Sequence, residues 1–137
     1  MQDSHRVWLT IGSLDISSGD AIGQLIGLES NARPVRNGAP PRKAFILQSD
    51  REISEHHPID DHFKWLIGKT ENQTTSIQDL LSKPGFFGSV LIQIVTDKFY
   101  GDFMMSNEFL AHLVRMGVDV EFSILSEAGE KDVESDS

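Results

Sequence analysis

A chain of 137 residues with 39% hydrophobic content can build one domain around one core. The absence of cysteine excludes disulfides, thiolate catalysis and cysteine-based zinc sites. A formal charge of −9 argues against nonspecific nucleic-acid binding, and no stretch approaches the ~20 apolar residues of a membrane-spanning helix. The polar start, Met-Gln-Asp-Ser-His-Arg, lacks a signal-peptide pattern, so a cytoplasmic location is the default. Residues 127–137 carry five acids and one lysine and read as a disordered acidic tail. That tail accounts for −4 of the −9 and leaves about −5 on a single domain spanning residues 1–126.

The first expected strand runs from Arg6 to Ile11, with Val7, Leu9 and Ile11 on one face and Arg6, Trp8 and Thr10 on the other. After a turn at Gly12 to Ser17, Ser17 or Ser18 should cap a helix with Asp20 in its first turn. Ile22, Leu25 and Ile26 give that helix its apolar stripe, and Gly27 followed by Leu28 ends it. Glu29 to Arg42 contains three prolines and a glycine, lacks periodicity and reads as a long loop. Arg33, Arg36, Arg42 and the adjoining Lys43 make this loop the densest basic stretch of an acidic chain. Such a cluster suits an anionic ligand or an acidic partner patch, and equally a solvated loop whose arginines pair with nearby acids.

Ala44 to Gln48 is a short strand. Beyond Pro58 a helix should begin, capped by Asp60 or Asp61, with Phe63, Leu66 and Ile67 on its apolar face and Trp65 beside it. Ile77, Leu80 and Leu81 resume that face, while the polar stretch Gly68 to Ser76 allows a break into two helices. Pro84-Gly85 ends the helical region. Gly88 to Val95 is an apolar, β-branched strand, followed by a turn with Asp97 and Gly101 and a short strand at Phe103 to Met105. Ser106 should cap the last helix, with Phe109, Leu110 and Leu113 facing the core and His112 on the surface. Gly117 closes it, and Val118, Val120, Phe122 and Ile124 alternate with polar residues in a final strand whose Phe122 is expected in the core.

Three groups of residues resemble the bacterial domain of unknown function 4279. Ile26-Gly27-Leu28-Glu29, Arg36-x-Gly38 and Phe45-Ile46-Leu47-Gln48-Ser49 are similar to its opening half. Asp61-His62-Phe63-Lys64-Trp65-Leu66 is similar to its middle helix, and Met105-Ser106-Asn107-Glu108-Phe109-Leu110 with Gly117-Val118 to its last helix and strand. The likeness covers roughly residues 6 to 126 in order, departing at Phe45, where the family more often has Trp. The resemblance implies a fold and a bacterial setting; the family has no settled activity, so it implies no reaction.

The order of elements suggests an α+β sandwich, with a mainly antiparallel sheet and helices packed on one face. The split βαβ, ferredoxin-like arrangement is the nearest named form. The opposite face would then hold Trp8, Leu91, Val95 and Leu125, a partly apolar surface available to a protein partner or to a second copy of the chain. The sharpest donor cluster is Glu55-His56-His57-Pro58-Ile59-Asp60-Asp61-His62. Its spacing spreads across a loop and a helix start, so His56, His57 and His62 are not expected to form a metal site, and no cofactor is implied. No Gly-x-Ser-x-Gly elbow occurs. With no catalytic set converging, the expected function is binding through a protein–protein surface, such as an inhibitor or immunity-type protein for a basic partner. The alternative is a small-ligand sensor or enzyme using Arg33, Arg36 and Arg42 or the histidine cluster.

Overall fold

Ten residue pairs join Ser4–Ser13 (β1) to Phe86–Thr96 (β3) in antiparallel register, and this ladder is the centre of the sheet. It belongs to a computed structural model that describes residues 3–16, 18–97 and 104–126. Phe45–Gln48 (β2) pairs antiparallel with the outer side of β1, and Asp119–Ser126 (β4) pairs parallel with β3. The order β2-β1-β3-β4 makes a four-stranded mixed sheet. The fold is α+β, with the helices on one face of that sheet.

Both strands extend beyond the runs that their apolar alternation marks, because each pairs with the other over ten residues. Gly19–Ile26 (α1) starts at Ser18, whose hydroxyl accepts from the Ala21 N–H. It stops at Gly27, φ 75°, where Leu28 donates back to the Gly23 carbonyl. Ile59–Thr70 (α2) runs through a 3-10 turn at Glu71–Gln73 into Thr74–Leu81 (α3), so the polar middle does divide the helical stretch. Asn107–Met116 (α4) is capped by Ser106, which accepts from the Phe109 N–H, and closes at Gly117, φ 75°.

The core lies between the helices and one sheet face. Val7, Leu9, Ile11, Phe45, Leu47, Val90 and Ile92 meet Ile22, Ile26, Phe63, Leu66, Ile77, Leu80, Phe109, Leu113 and Met116 there. Phe63 and Phe109 stack at 4.2 Å, joining α2 to α4.

Several expectations are corrected. A split βαβ separates its parallel strands by a third strand, whereas β3 and β4 pair directly; the ferredoxin-like order is not the one seen. Met104 and Met105 lie outside any strand; Phe103, Gly101, Ser17 and the tail at 127–137 fall outside the described residues. Phe122 points to the helix face beside Ile92 but is 52% exposed, and Val120 and Ile124 are exposed with it. No described helix approaches β4 as α2 approaches β1, so this edge strand keeps its alternation while most of its side chains stay exposed. Leu25 and Leu110 also face outward, because the buried stripes run through Ile22, Gly23 and Ile26 in α1 and through Phe109, His112, Leu113 and Met116 in α4. Pro58, not Asp60 or Asp61, is the N-cap of α2; the two acids occupy its first turn, where the helix dipole favours them.

Candidate functional site

The loop between α1 and β2 is fastened to the sheet by its own side chains. Asn31 donates Nδ2–H to the Gln48 carbonyl at 2.8 Å and accepts the Gln48 N–H at 2.7 Å through Oδ1. It thereby supplies the missing neighbour to the outer edge of β2. Ser30 donates to the Ile46 carbonyl at 2.6 Å, and Arg51 Nε donates to the Asn31 carbonyl at 3.2 Å. A second Asn31 donor contact reaches Glu52 at 2.7 Å. Burial alone would raise the Glu52 carboxyl, but the Lys69 ammonium at 2.6 Å and the Asn31 amide hold it below its ordinary value.

This anchoring brings Arg33 and Arg42 against the open face of the sheet. With Trp8, Gln48, Asp50 and Arg51 they line a cavity of about 340 Å³. Trp8 and Gln48 are register partners, so the cavity sits where β1 and β2 adjoin. Trp8 is held by its indole N–H, which donates to Asp50 Oδ1 at 2.6 Å. Arg6 Nε lies 3.8 Å from Asp50 Oδ2, and Arg6 also donates to Glu55 at 3.2 Å, with its guanidinium 6.0 Å from the centre of the Trp8 ring. Among the described residues, Arg33, Arg42 and Arg51 make no ion pair. Arg42 donates to the Arg33 carbonyl, which uses only part of its five-donor fork. The loop is largely solvent-exposed, as expected, but among the described residues its arginines do not pair with nearby acids. Arg36 is exposed in the turn that Ala39 closes by donating to its carbonyl, and it does not line this cavity.

The open face of the sheet has a row structure. Gln48, Trp8, Leu91 and Glu121 lie side by side across the four strands. Ser4, Val95 and Leu125 form another row, and Arg6, Gln93 and Ser123 lie between the two. The four apolar residues do share the face without a described helix, but as two pairs divided by a polar row. Leu125 is 51% exposed; Trp8, Leu91 and Val95 are partly buried.

The histidine cluster does not assemble. His62 turns inward and is fully buried, His57 sits 3.2 Å from Asp61 at the surface, and His56 lies 3.7 Å from Glu55. Among the described residues, no group of three or more His, Asp or Glu side chains is placed to hold a metal ion. Two buried histidine pairs replace it. Ser49 accepts the Val7 N–H, and its hydroxyl is hydrogen-bonded to His62 Nδ1 at 2.6 Å. Thr70 donates to the Leu66 carbonyl and accepts from His112 Nε2–H at 2.6 Å. His112 is thus a core residue rather than a surface one, because the Thr70 hydroxyl meets it inside the helix layer.

Burial pushes both histidines below their ordinary value. For His62 the nearby His5 adds to the shift, with the Ser54 carbonyl and Asp50 opposing it; for His112 the contribution comes from Arg115. The Ser49–His62 distance would suit a nucleophile and its base, yet both side chains are fully buried and Ser49 is engaged on both sides. The pair pins β1 to α2 and has no surface on which a substrate could act.

The chain matches no family model, no curated protein and no solved structure.

Proposed function

We propose that this chain is a non-catalytic binding protein that holds a basic protein partner on the open face of its sheet. The observation that carries this reading is the register, which puts Trp8, Leu91, Val95 and Leu125 on the face without a described helix. Alternation of apolar pairs with polar rows is the composition of a non-obligate interface, whose average surface is no more apolar than the rest of a protein. Trp8 supplies a rigid aromatic anchor, already oriented by Asp50. Asp119 and Glu121 border the face at β4, and with the net charge of −9 they would steer a basic partner toward that side, away from the arginines at the β2 edge. The resemblance to the bacterial domain of unknown function 4279 favours a bacterial setting, where an inhibitor or immunity-type role fits such a surface. The inward placement of Ser49, His62 and His112 supports binding over catalysis.

The test compares the wild type with a Leu91→Glu, Leu125→Glu double variant whose folding is checked by circular dichroism. A basic protein captured by the wild type should bind it again after purification, with an on-rate that falls as salt rises, and should not bind the variant. A wild-type dimer in light scattering that dissociates in the variant would assign the face to a second copy of the chain. Equal binding by wild type and variant would remove the face as the site.

A further inference from the structure

The cavity at the β2 edge combines three features that protein docking on the sheet face does not need. Its lining includes three arginines, the exposed Arg33 and Arg51 and the half-buried Arg42, that are in no ion pair among the described residues. Its one carboxylate, Asp50, is occupied by the Trp8 indole N–H and by Arg6. Its volume is about 340 Å³, an open depression with room for a small anionic group that stays in reach of solvent. Planar guanidinium forks match the oxygens of a tetrahedral oxyanion, and charge-assisted contacts of this kind are the strong ones. With Asp50 engaged by Arg6 and Trp8, the three arginines have no carboxylate of their own in the cavity, and a phosphate monoester, dianionic above its second ionisation, would supply the missing negative charge. The ring of Trp8 and the amide of Gln48 complete the wall with a stacking surface and a neutral donor.

We propose that this cavity is a binding site for a phosphate monoester, with Arg33, Arg42 and Arg51 as the phosphate-holding residues. The site is built by the loop anchoring: Asn31 fixes the loop to Gln48, Arg51 reaches back to the Asn31 carbonyl, and Arg42 holds the Arg33 carbonyl. Arg36 has no part in it, although it belongs to the same basic stretch. The proposal does not rest on the sheet-face reading, although Trp8 belongs to both the cavity and that face. The leucines that test that reading do not line the cavity, and the arginines that test this one do not lie on the strands of the face.

The experiment titrates inorganic phosphate and phenyl phosphate at pH 8 into a Trp65→Phe background, so that Trp8 is the only indole reporting, with calorimetry as the second readout. Saturable binding is expected, and Arg33→Gln with Arg51→Gln should weaken it about tenfold or more. Arg36→Gln with Lys43→Gln removes the same charge outside the cavity and should change affinity no more than about twofold at moderate salt. Tighter binding of phenyl phosphate would identify an organic monoester whose ring lies against Trp8; equal binding of both probes would identify the phosphate group alone as the ligand. No saturable binding of either probe, or equal weakening by the two double variants, would overturn the proposal.

Discussion

His62 and His112 are the residues at which burial and charge meet most directly. Each is fully buried and neutral, and each is satisfied at one nitrogen by a hydroxyl from a distant part of the chain. Their folded-state values lie below the ordinary 6.5 that the unfolded chain retains. Below that pH the unfolded state binds more protons than the folded one, so stability is full above about 6.5 and falls as pH drops through this window. Each histidine contributes a slope of at most about 1.4 kcal/mol per pH unit there. Denaturant titrations between pH 8 and pH 5 should show His112→Leu losing stability less steeply than the wild type; an unchanged slope would mean that His112 is already charged in the folded chain. The inward position of His112 had a local signal, since 109, 112, 113 and 116 are spaced as one helix face. Its partner had none: Thr70 lies 42 residues away, and only the packing of α4 beside α2 brings the hydroxyl to the ring. Asn31 is a similar case, an ordinary loop residue in sequence whose amide turns out to complete an edge strand. Asn31→Ala should cost about 1–3 kcal/mol in a denaturant titration, because it strips partners from both the N–H and the carbonyl of Gln48.

Helix ends were the most legible elements, because a cap is a local device. Ser106 and Gly117 bracket α4 as their chemistry dictates, with the Ser106 hydroxyl accepting from Phe109 and Gly117 at φ 75°. Ser106→Ala should therefore cost about 1 kcal/mol, and Gly117→Ala about 1–2 kcal/mol for placing a Cβ in the left-handed region. Thermal unfolding monitored by circular dichroism checks both, and no loss in Ser106→Ala would show that another group serves the helix start. Helix phase was less legible than helix ends. Gly19 and Gly23 let α1 approach β2 so closely that a Cβ at Gly19 would collide with the Ala44 carbonyl, and this contact rotates Leu25 out to solvent. Strand β4 carries the same lesson in another form. Its alternation correctly assigns Phe122 to the helix face, but alternation cannot say whether a helix reaches that far. Phe63→Ala, in the stacked pair with Phe109, should cost about 3–5 kcal/mol, as a large buried aromatic does. Phe122→Ala, half exposed, should cost about 1 kcal/mol. Equal losses in the two variants would require a cover over β4.

Sheet order is a property of the whole molecule, and it is where reading the sequence went furthest astray. Every pairing joins residues distant in the chain, and the strand lengths allow several orders; the split βαβ and the observed β2-β1-β3-β4 use nearly the same elements. The order has a consequence for local stability. Strands β1 and β3 have hydrogen-bonding neighbours on both sides and the helices over one face, whereas β2 and β4 are the edges. The two edges are not equivalent. Asn31 and Ser30 satisfy the outer side of β2, and Phe45 and Leu47 are buried beneath the helices. In β4 every residue but Ser123 and Ser126 is exposed. Opening free energy should therefore rank β1 and β3 highest, β2 next and β4 lowest. Amide hydrogen exchange followed by NMR should find Val7, Leu9, Val90 and Ile92 exchanging slowest, near the limit set by global unfolding, and Val120, Phe122 and Ile124 exchanging orders of magnitude faster. The measurement is made at two protein concentrations. If β4 protection matched that of β3 at both, the edge would be covered within one chain and the ranking would be wrong. If it rose only at the higher concentration, a second copy would be adding itself along β4, and the sheet would have two surfaces available to partners instead of one.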